Sequence, residues 1–199
     1  MKQMRTIKGT HDILPESSRN WQSLEKIIHA SASLSGYSEI RTPIIEEAGL
    51  FNRGIGENTD IVSKEMYSWT DRDNKTIALR PEMTASVVRS YIQHNLHNKS
   101  MLQRLYYIGP SFRRERPQKG RQRQFHQFGV EAIGSANPEQ DAEVIALGWE
   151  ILKKAGINNL ELKLSSIGSK ECRNKYKNAL VNFLKPHVPK LSETSKRRL

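Results

Sequence analysis

The sequence predicts an α+β fold in which an antiparallel sheet is flanked by helices. Residues 104–134 contain two segments that alternate apolar and polar side chains and are joined by a short basic connection, a pattern typical of a β-hairpin. Segments with helical periodicity stand before and after this hairpin. A mixture of helices and strands, with neighbouring strands antiparallel, favours the α+β class over a doubly wound parallel sheet.

The first predicted helix begins at Pro15, where the missing N–H of proline costs nothing. Its apolar positions recur at helical spacing and are Trp21, Leu24, Ile27, Ile28 and Leu34. Ser35 and Gly36 end the helix. Residues 37–45 then predict a strand, in which Pro43 belongs at an edge or an interface because it cannot donate to a ladder.

Further elements follow on both sides of the hairpin. Residues 76–80 predict a short strand, and Thr84 is a credible N-cap for the next helix. The apolar positions of that helix are Val87, Val88, Tyr91, Ile92 and Leu96. After the hairpin, Asn137 and Pro138 start a helix that ends near Gly156. Its inward positions are Val144, Leu147, Ile151 and Leu152. Alternating leucines at 160–164 predict another strand, and residues 169–184 another helix.

The two faces of the hairpin differ in chemistry. One is mostly apolar and comprises Tyr106, Ile108, Pro110, Phe112, His126, Phe128, Val130 and Ala132. The other comprises Tyr107, Gly109, Ser111, Arg113, Glu115, Gln127, Gly129 and Glu131. Glycine weakens a strand unless something approaches the backbone closely, so this second face is a candidate floor for a ligand. The connection at 116–123 is basic and suits phosphate. A half-solvated sheet with an ordinary basic turn remains the alternative.

The composition limits the classes of function. The 199 residues carry a formal net charge of +11, which favours an anionic partner, with nucleic acid first. No apolar run is long enough to span a membrane, no secretory signal is visible, and the single Cys172 permits no internal disulfide, so we expect a cytoplasmic protein. The histidines lack metal-ligand spacing, so we expect no metal ligands. The basic segment at 170–199 fits a nucleic-acid contact and a solvated surface equally well.

Several long motifs resemble one family. FRRERPQKGRQRQFHQFGVE, at residues 112–131, is similar to motif 2 of the class II aminoacyl-tRNA synthetases in the form seen in the histidyl-tRNA synthetase family. GYSEIRTPIIEEAGLF, at 36–51, resembles its motif 1 region, and KGTHDILP, at 8–15, its N-terminal signature. RGIGENTDIVSKEMY (53–67), LRPEMTASVVR (79–89) and LSSIGS (164–169) also match in order. The resemblance covers essentially the whole chain.

The resemblance implies a histidine–tRNA ligase that activates histidine with ATP and Mg²⁺ and transfers it to tRNA(His). It implies that Arg113 contacts the α-phosphate, where negative charge gathers in the transition state. It further implies that Glu115 recognises the adenine amino group and that Arg121 contacts the terminal phosphate. A homodimer formed through the motif 1 region is also implied.

The resemblance also implies a histidine pocket. Glu82 and Thr84 suit the substrate ammonium, Gln127 supports the same end, and Glu131 meets the imidazole, with Gly129 leaving room for a small ring. Arg113 and Met83 complete the expected set. Met83 stands where the family usually has glycine, a departure that affects how Glu82 and Thr84 are presented.

The same resemblance predicts the domain organisation. Residues 1–168 correspond to the synthetase-like catalytic core, incomplete at its C-terminal side, and residues 169–199 to the start of a helical insertion. Motif 3 and an anticodon-binding domain are not found, so we expect these 199 residues alone to be poorly active. The sequence is equally consistent with an engineered fragment, a truncated gene and a split protein. The alternatives to a ligase are a non-catalytic regulatory subunit of ATP phosphoribosyltransferase and a fragment that only binds tRNA or a partner.

Overall fold

The structure is a computed structural model that describes residues 3–55, 65–166 and 168–198. The first of two compact units comprises residues 1–158 and the second residues 159–199. The helices of the first unit are α1 (Pro15–Leu34), α2 (Ala48–Ile55), α3 (Thr84–Gln93) and α4 (Pro138–Lys154). Its strands are β1 (Ser38–Glu39), β2 (Ile45–Glu47), β3 (Ser68–Thr70), β4 (Thr76–Leu79), β5 (Gln103–Phe112) and β6 (Gln124–Ile133). The predicted domain boundary after residue 168 remains a prediction.

The predicted hairpin is confirmed and forms the larger part of one sheet. β5 and β6 pair antiparallel over their whole length, with Tyr107 opposite Gly129 and Gly109 opposite Gln127. The short β1 pairs parallel with β5, which gives the order β1-β5-β6. A second sheet has the order β2-β4-β3 and is antiparallel throughout. The predicted α+β class is therefore confirmed, with one short parallel pair added.

The apolar face of the hairpin packs against helices. Its core cluster consists of Ile28 and Ala32 from α1, Tyr37, Tyr106 from β5, and Leu147 and Ile151 from α4. Ile108, Phe128 and Val130 of the hairpin pack against it. α1 begins at Pro15 as predicted and is followed by Gly36 at a φ of 76°, the left-handed region that favours glycine. Because α1 and α4 cover this face, the opposite face of the hairpin carries the candidate site.

The predicted strand at residues 37–45 is wrong, because only Ser38–Glu39 and Ile45–Glu47 are strands. The side chain of Arg80 accounts for the break. Its Nη1 donates to the carbonyl oxygen of Thr42 at 2.9 Å, so this carbonyl bonds to a side chain instead of a neighbouring strand. Pro43, the next residue, has no N–H to donate to a ladder. The backbone N–H of Arg80 donates to the carbonyl oxygen of Ile44 at 2.9 Å and continues the pairing of β2 with β4.

The predicted N-cap at Thr84 is also wrong. Thr84 is the first residue of α3, and the carboxylate of Glu82 accepts a hydrogen bond from the N–H of Ala85 at 3.1 Å. A carboxylate at the beginning of a helix both satisfies a free N–H and interacts favourably with the helix dipole. α3 is shorter than predicted, since Leu96 belongs to the 3₁₀ turn Leu96–Asn98.

The second unit is helical. Its elements are α5 (Lys170–Leu184), a 3₁₀ segment (Lys185–Lys190) and α6 (Glu193–Arg198). Ser169 caps α5, because its hydroxyl accepts from the N–H of Cys172 at 3.2 Å. The predicted strand at 160–164 is wrong: the leucines alternate, but no described strand pairs with them, and an unpaired segment of this length gains no ladder hydrogen bonds. Within the described ranges, no helix combines the length and apolar character needed to cross a membrane.

Candidate active site

The two glycines of the candidate floor are covered by side chains of the protein itself. A Cβ added at Gly129 would lie 2.6 Å from Cε2 of Tyr107 and nearer still to the phenol oxygen. A Cβ added at Gly109 would lie 2.6 Å from Nη2 of Arg80 and 3.3 Å from Cε of Met83. The sequence correctly indicated that something approaches the backbone here. The expectation that Gly129 leaves room for a substrate ring is wrong at this position, because the ring of Tyr107 fills it.

The three residues predicted to contact ATP lie together at the loop end of the hairpin. Glu115 bridges two arginines, with its carboxylate oxygens 3.9 Å from Nη1 of Arg113 and 3.3 Å from Nη1 of Arg121. The side chains of Arg113 and Glu115 are mostly buried, whereas that of Arg121 is largely exposed. The arrangement therefore offers two fixed groups and one exposed cation that a phosphate could engage.

Two further contacts orient Arg113. Its Nε donates to the carbonyl oxygen of Pro81 at 2.9 Å, and its guanidinium stands over the ring of Phe125 at 5.0 Å from the centroid. The first contact joins Arg113 to the residue that precedes Glu82, and the second is a cation–π arrangement. A guanidinium held in this way needs little reorganisation to act on a ligand, which is the requirement for electrostatic stabilisation of a transition state.

The residues predicted for the amino-acid pocket form a second group. The hydroxyl of Tyr107 lies 3.4 Å from that of Thr84 and donates to the carboxylate of Glu131 at 3.3 Å. Burial is the largest influence on the Glu131 carboxyl and raises its pKa. The hydroxyls of Thr84 and Tyr107 lower this pKa and the charge of Glu82 raises it, and the net result is a raised pKa. Burial also raises the pKa of Tyr107, to about 12, so its hydroxyl stays protonated. The pocket thus combines a half-buried acid with a neutral donor.

Gln127 and Met83 occupy different surroundings. Gln127 accepts a hydrogen bond from the fully buried Ser111 at 3.2 Å, on the same sheet face as Gly129 and Glu131. Met83 is 2% exposed and packs with Val87, Leu105 and Tyr107. The methionine is therefore part of the core beneath the segment that carries Glu82 and Thr84.

Two residues of the site were not assigned a role from the sequence. The sequence placed Tyr107 on the polar face without a function. Its position opposite Gly129 could have predicted the contact, since an aromatic ring often covers a glycine on the neighbouring strand. Arg80 is 3% exposed, and its Nε donates to the carbonyl oxygen of Pro110 at 2.8 Å. The guanidinium group has five N–H donors, so one side chain can bond several carbonyl oxygens. No sequence pattern indicated that Arg80 does so. Part of the predicted histidine-site segment, residues 56–64, lies outside the described residues.

The chain is similar to known proteins over nearly its whole length. A family model described as histidyl-tRNA synthetase matches residues 9–169. The histidine–tRNA ligase of Synechocystis sp. is 53% identical over all 199 residues, which cover 44% of its length, and that of Rippkaea orientalis is 51% identical, with 46% covered. The crystal structure of apo Staphylococcus aureus histidyl-tRNA synthetase has a TM-score of 0.76 at 38% identity, over 98% of this chain and 46% of that one.

The curated relatives reported above are enzymes of the aminoacyl-tRNA synthetase class. The match over residues 9–169 shows that the chain belongs to the histidyl-tRNA synthetase family. The chain spans less than half the length of these relatives. A structure described as an ATP phosphoribosyltransferase regulatory subunit/histidyl-tRNA synthetase from Bacillus halodurans is also similar, with a TM-score of 0.67 at 30% identity over 77% of this chain and 38% of that one.

Proposed function

We propose that this chain belongs to a histidine–tRNA ligase that converts histidine and ATP to histidyl-adenylate and transfers the histidyl group to tRNA(His). The observation that carries the proposal is the Arg113–Glu115–Arg121 cluster on the hairpin. A non-catalytic relative has no need for these three residues together with an intact basic loop, whereas a ligase requires them for ATP. This cluster favours a ligase over a regulatory subunit.

Arg113 stabilises the transition state of the first step. A carboxylate oxygen of histidine attacks the α-phosphorus of ATP, the bond to the bridging oxygen breaks, and pyrophosphate leaves with the electron pair. Negative charge concentrates on the α-phosphate, where a pre-oriented guanidinium lowers the barrier. The contacts of Arg113 with Pro81 and Phe125 supply that orientation.

Glu115 and Arg121 bind the two ends of the nucleotide. The carboxylate of Glu115 accepts a hydrogen bond from the adenine amino group, and Arg121 exchanges its ion pair with Glu115 for the terminal phosphate. The pair is inexpensive to break because Arg121 is exposed. Mg²⁺ would enter with ATP and would offset the negative charge of its phosphates.

The second group recognises the amino acid. Glu82 and Thr84 accept the ammonium with support from Gln127, while Met83 forms the floor beneath them. Glu131 accepts a hydrogen bond from the imidazole, and Tyr107 fixes the carboxylate that does so. A pocket built to hydrogen-bond its substrate rejects analogues that lack the group by about 10⁴-fold or more. The partners of the complete protein are tRNA(His) and a second subunit, and its compartment is the cytoplasm.

The test is histidine-dependent ATP–pyrophosphate exchange by the full-length protein. Arg113→Ala should reduce the rate by about 10²–10³. Arg114→Ala is the matched control, because Arg114 is the exposed neighbour of the same type, and its rate should stay within about threefold. A change below threefold for Arg113→Ala, with folding intact, would remove Arg113 from the reaction. Absence of exchange in the unaltered protein would overturn the ligase assignment.

A further inference from the structure

An N-terminal turn contacts the basic hairpin loop. Residues 7–10 form the turn, which is closed by two hydrogen bonds to the carbonyl oxygen of Ile7, from the N–H of Thr10 at 2.9 Å and from its hydroxyl at 2.7 Å. Within it, the carbonyl oxygen of Gly9 accepts from the N–H of Arg123 at 2.7 Å and from that of Gln124 at 3.3 Å. The turn therefore holds the backbone where the loop returns to β6.

Arg123 connects this turn to the residues proposed to bind ATP. Its carbonyl oxygen accepts from the N–H of Arg113 at 2.9 Å, and its Nε donates to the carbonyl oxygen of Glu115 at 3.3 Å. A continuous series of hydrogen bonds thus runs from Gly9 through Arg123 to both Arg113 and Glu115. At the opposite end of the loop, two backbone hydrogen bonds join Gln118 and Arg121, at 2.9 and 3.2 Å.

Position 9 accepts only glycine without rearrangement. Its φ is 88°, in the region that L residues with a side chain rarely adopt. A Cβ there would lie 2.7 Å from Cγ of Arg123 and 2.9 Å from Cγ of Pro117. Both neighbours belong to the basic loop, so a side chain at position 9 would push on the loop itself.

We propose that Gly9 is a positioning residue for the nucleotide site. The turn at residues 7–10 holds the basic loop in the shape that presents Arg113, Glu115 and Arg121 together. The identity of the ligand rests on the proposed function, whereas the anchoring of the loop rests on the contacts of Gly9 alone. Without the anchor, the loop must be ordered when the ligand binds, and that ordering weakens binding.

The kinetic test compares Gly9→Ala with Gly156→Ala in the full-length protein. Gly156 has a φ of 89° and nothing within 4 Å of an added Cβ, so alanine there strains the backbone to the same degree without touching the loop. Gly9→Ala should raise the KM for ATP by roughly tenfold and leave the KM for histidine within about twofold, while Gly156→Ala changes neither. An unchanged KM for ATP, or an equal rise in both KM values, would overturn the proposal.

A second measurement does not depend on catalysis. Amide hydrogen exchange of peptides covering residues 113–124 should accelerate by about tenfold in Gly9→Ala and stay unchanged in Gly156→Ala. Thr10→Val, which removes one bond closing the turn, should give a smaller acceleration and serves if Gly9→Ala does not fold. Equal exchange in all variants would show that the turn does not anchor the loop. If the unaltered protein lacks pyrophosphate exchange, only the ligand assignment fails, and this measurement still decides the anchoring.

Discussion

The ring of Tyr107 on β5 lies directly over Gly129 on β6, its partner in the register, and its hydroxyl reaches Glu131 two residues farther along β6. The glycine and the acid thus act through the same tyrosine. Gly129 leaves space for the ring against β6, and Glu131 accepts the hydrogen bond of its hydroxyl. Their spacing of two residues puts both on one face of the sheet.

Gly129→Ala should therefore destabilise the protein. The added methyl group collides with the phenol, and the ring can leave only by disturbing its packing with Met83, Val87 and Leu105. Overpacking of this kind costs about 1–3 kcal/mol of unfolding free energy, which urea denaturation measures.

Gly148→Ala is the control for that substitution. Gly148 lies inside α4 with nothing within 4 Å of an added Cβ, so alanine there should stabilise by up to about 1 kcal/mol. Equal effects of the two substitutions would show that Tyr107 is free to move away from Gly129.

Tyr107→Phe should raise the pKa of Glu131 further, because the hydroxyl that favours the carboxylate is lost. Burial already raises the pKa of Glu131 in the folded protein above the usual 4.5, so the folded state binds the proton more tightly than the unfolded state. The free energy of unfolding therefore falls as the pH rises from the unfolded pKa to the folded pKa. Because Tyr107→Phe raises the folded pKa of Glu131 further, the free energy of unfolding continues to fall at higher pH. Unfolding free energy measured from pH 4 to 7 should show the difference from the unaltered protein growing with pH, to about 1 kcal/mol.

Tyr176→Phe serves as the comparison, since the phenol of Tyr176 is 68% exposed on α5. Its pH dependence should match that of the unaltered protein. A constant difference between Tyr107→Phe and the unaltered protein over the same pH range would mean that the hydroxyl does not act on Glu131.

Arg80→Met should destabilise strongly. The buried guanidinium donates to the carbonyl oxygens of Thr42 and Pro110, and burial lowers its pKa while the charge of Glu46 raises it. Methionine fills a similar volume but leaves both carbonyls without their donor, at about 1–3 kcal/mol each. Arg72→Met, at an exposed position, should change the unfolding free energy by less than about 0.5 kcal/mol. A loss below 1 kcal/mol for Arg80→Met would show that water replaces the guanidinium.

Local periodicity accounts for what the sequence could predict. The helix from Pro15 and the hairpin with its two faces depend on residues close in sequence, and the structure confirms both. The strand at 37–45 failed because a side chain 38 residues from Thr42 takes its carbonyl oxygen. No pattern inside that segment carries such information.

In the candidate site, too, features set by residues close in sequence were predicted and features set by distant residues were not. Alternation correctly placed Gln127 and Glu131 on one face of β6, because the register of a hairpin follows from its own strands. Arg113 and Glu115 follow the last residue of β5, so their placement on that face stays a prediction. It could not show that Glu82 caps α3, since a carboxylate one residue before the N-cap and the threonine after it fit the sequence equally well. The distances between Glu82, Tyr107 and Glu131 depend on how α3 packs against the sheet.

The capping role and the proposed binding role of Glu82 make separable predictions. Glu82→Gln keeps an oxygen that can accept from the N–H of Ala85 but removes the charge that the substrate ammonium requires. Glu82→Ala removes both. Both substitutions should raise the KM for histidine by at least about tenfold, because a hydrogen bond to a charged group contributes about 1.5–3 kcal/mol. Only Glu82→Ala should also lower the unfolding free energy, by about 1 kcal/mol.

The measurements are pyrophosphate exchange at varied histidine concentration and urea denaturation of the same preparations. Glu47→Gln is a suitable control, since Glu47 is exposed, carries the same charge and, within the described ranges, pairs with the exposed Lys75 at 3.6 Å. It should change neither quantity. If Glu82→Gln leaves the KM for histidine unchanged while Glu82→Ala lowers stability, Glu82 is a helix cap alone. The ammonium must then be bound by Thr84, Gln127 or a group outside the described residues.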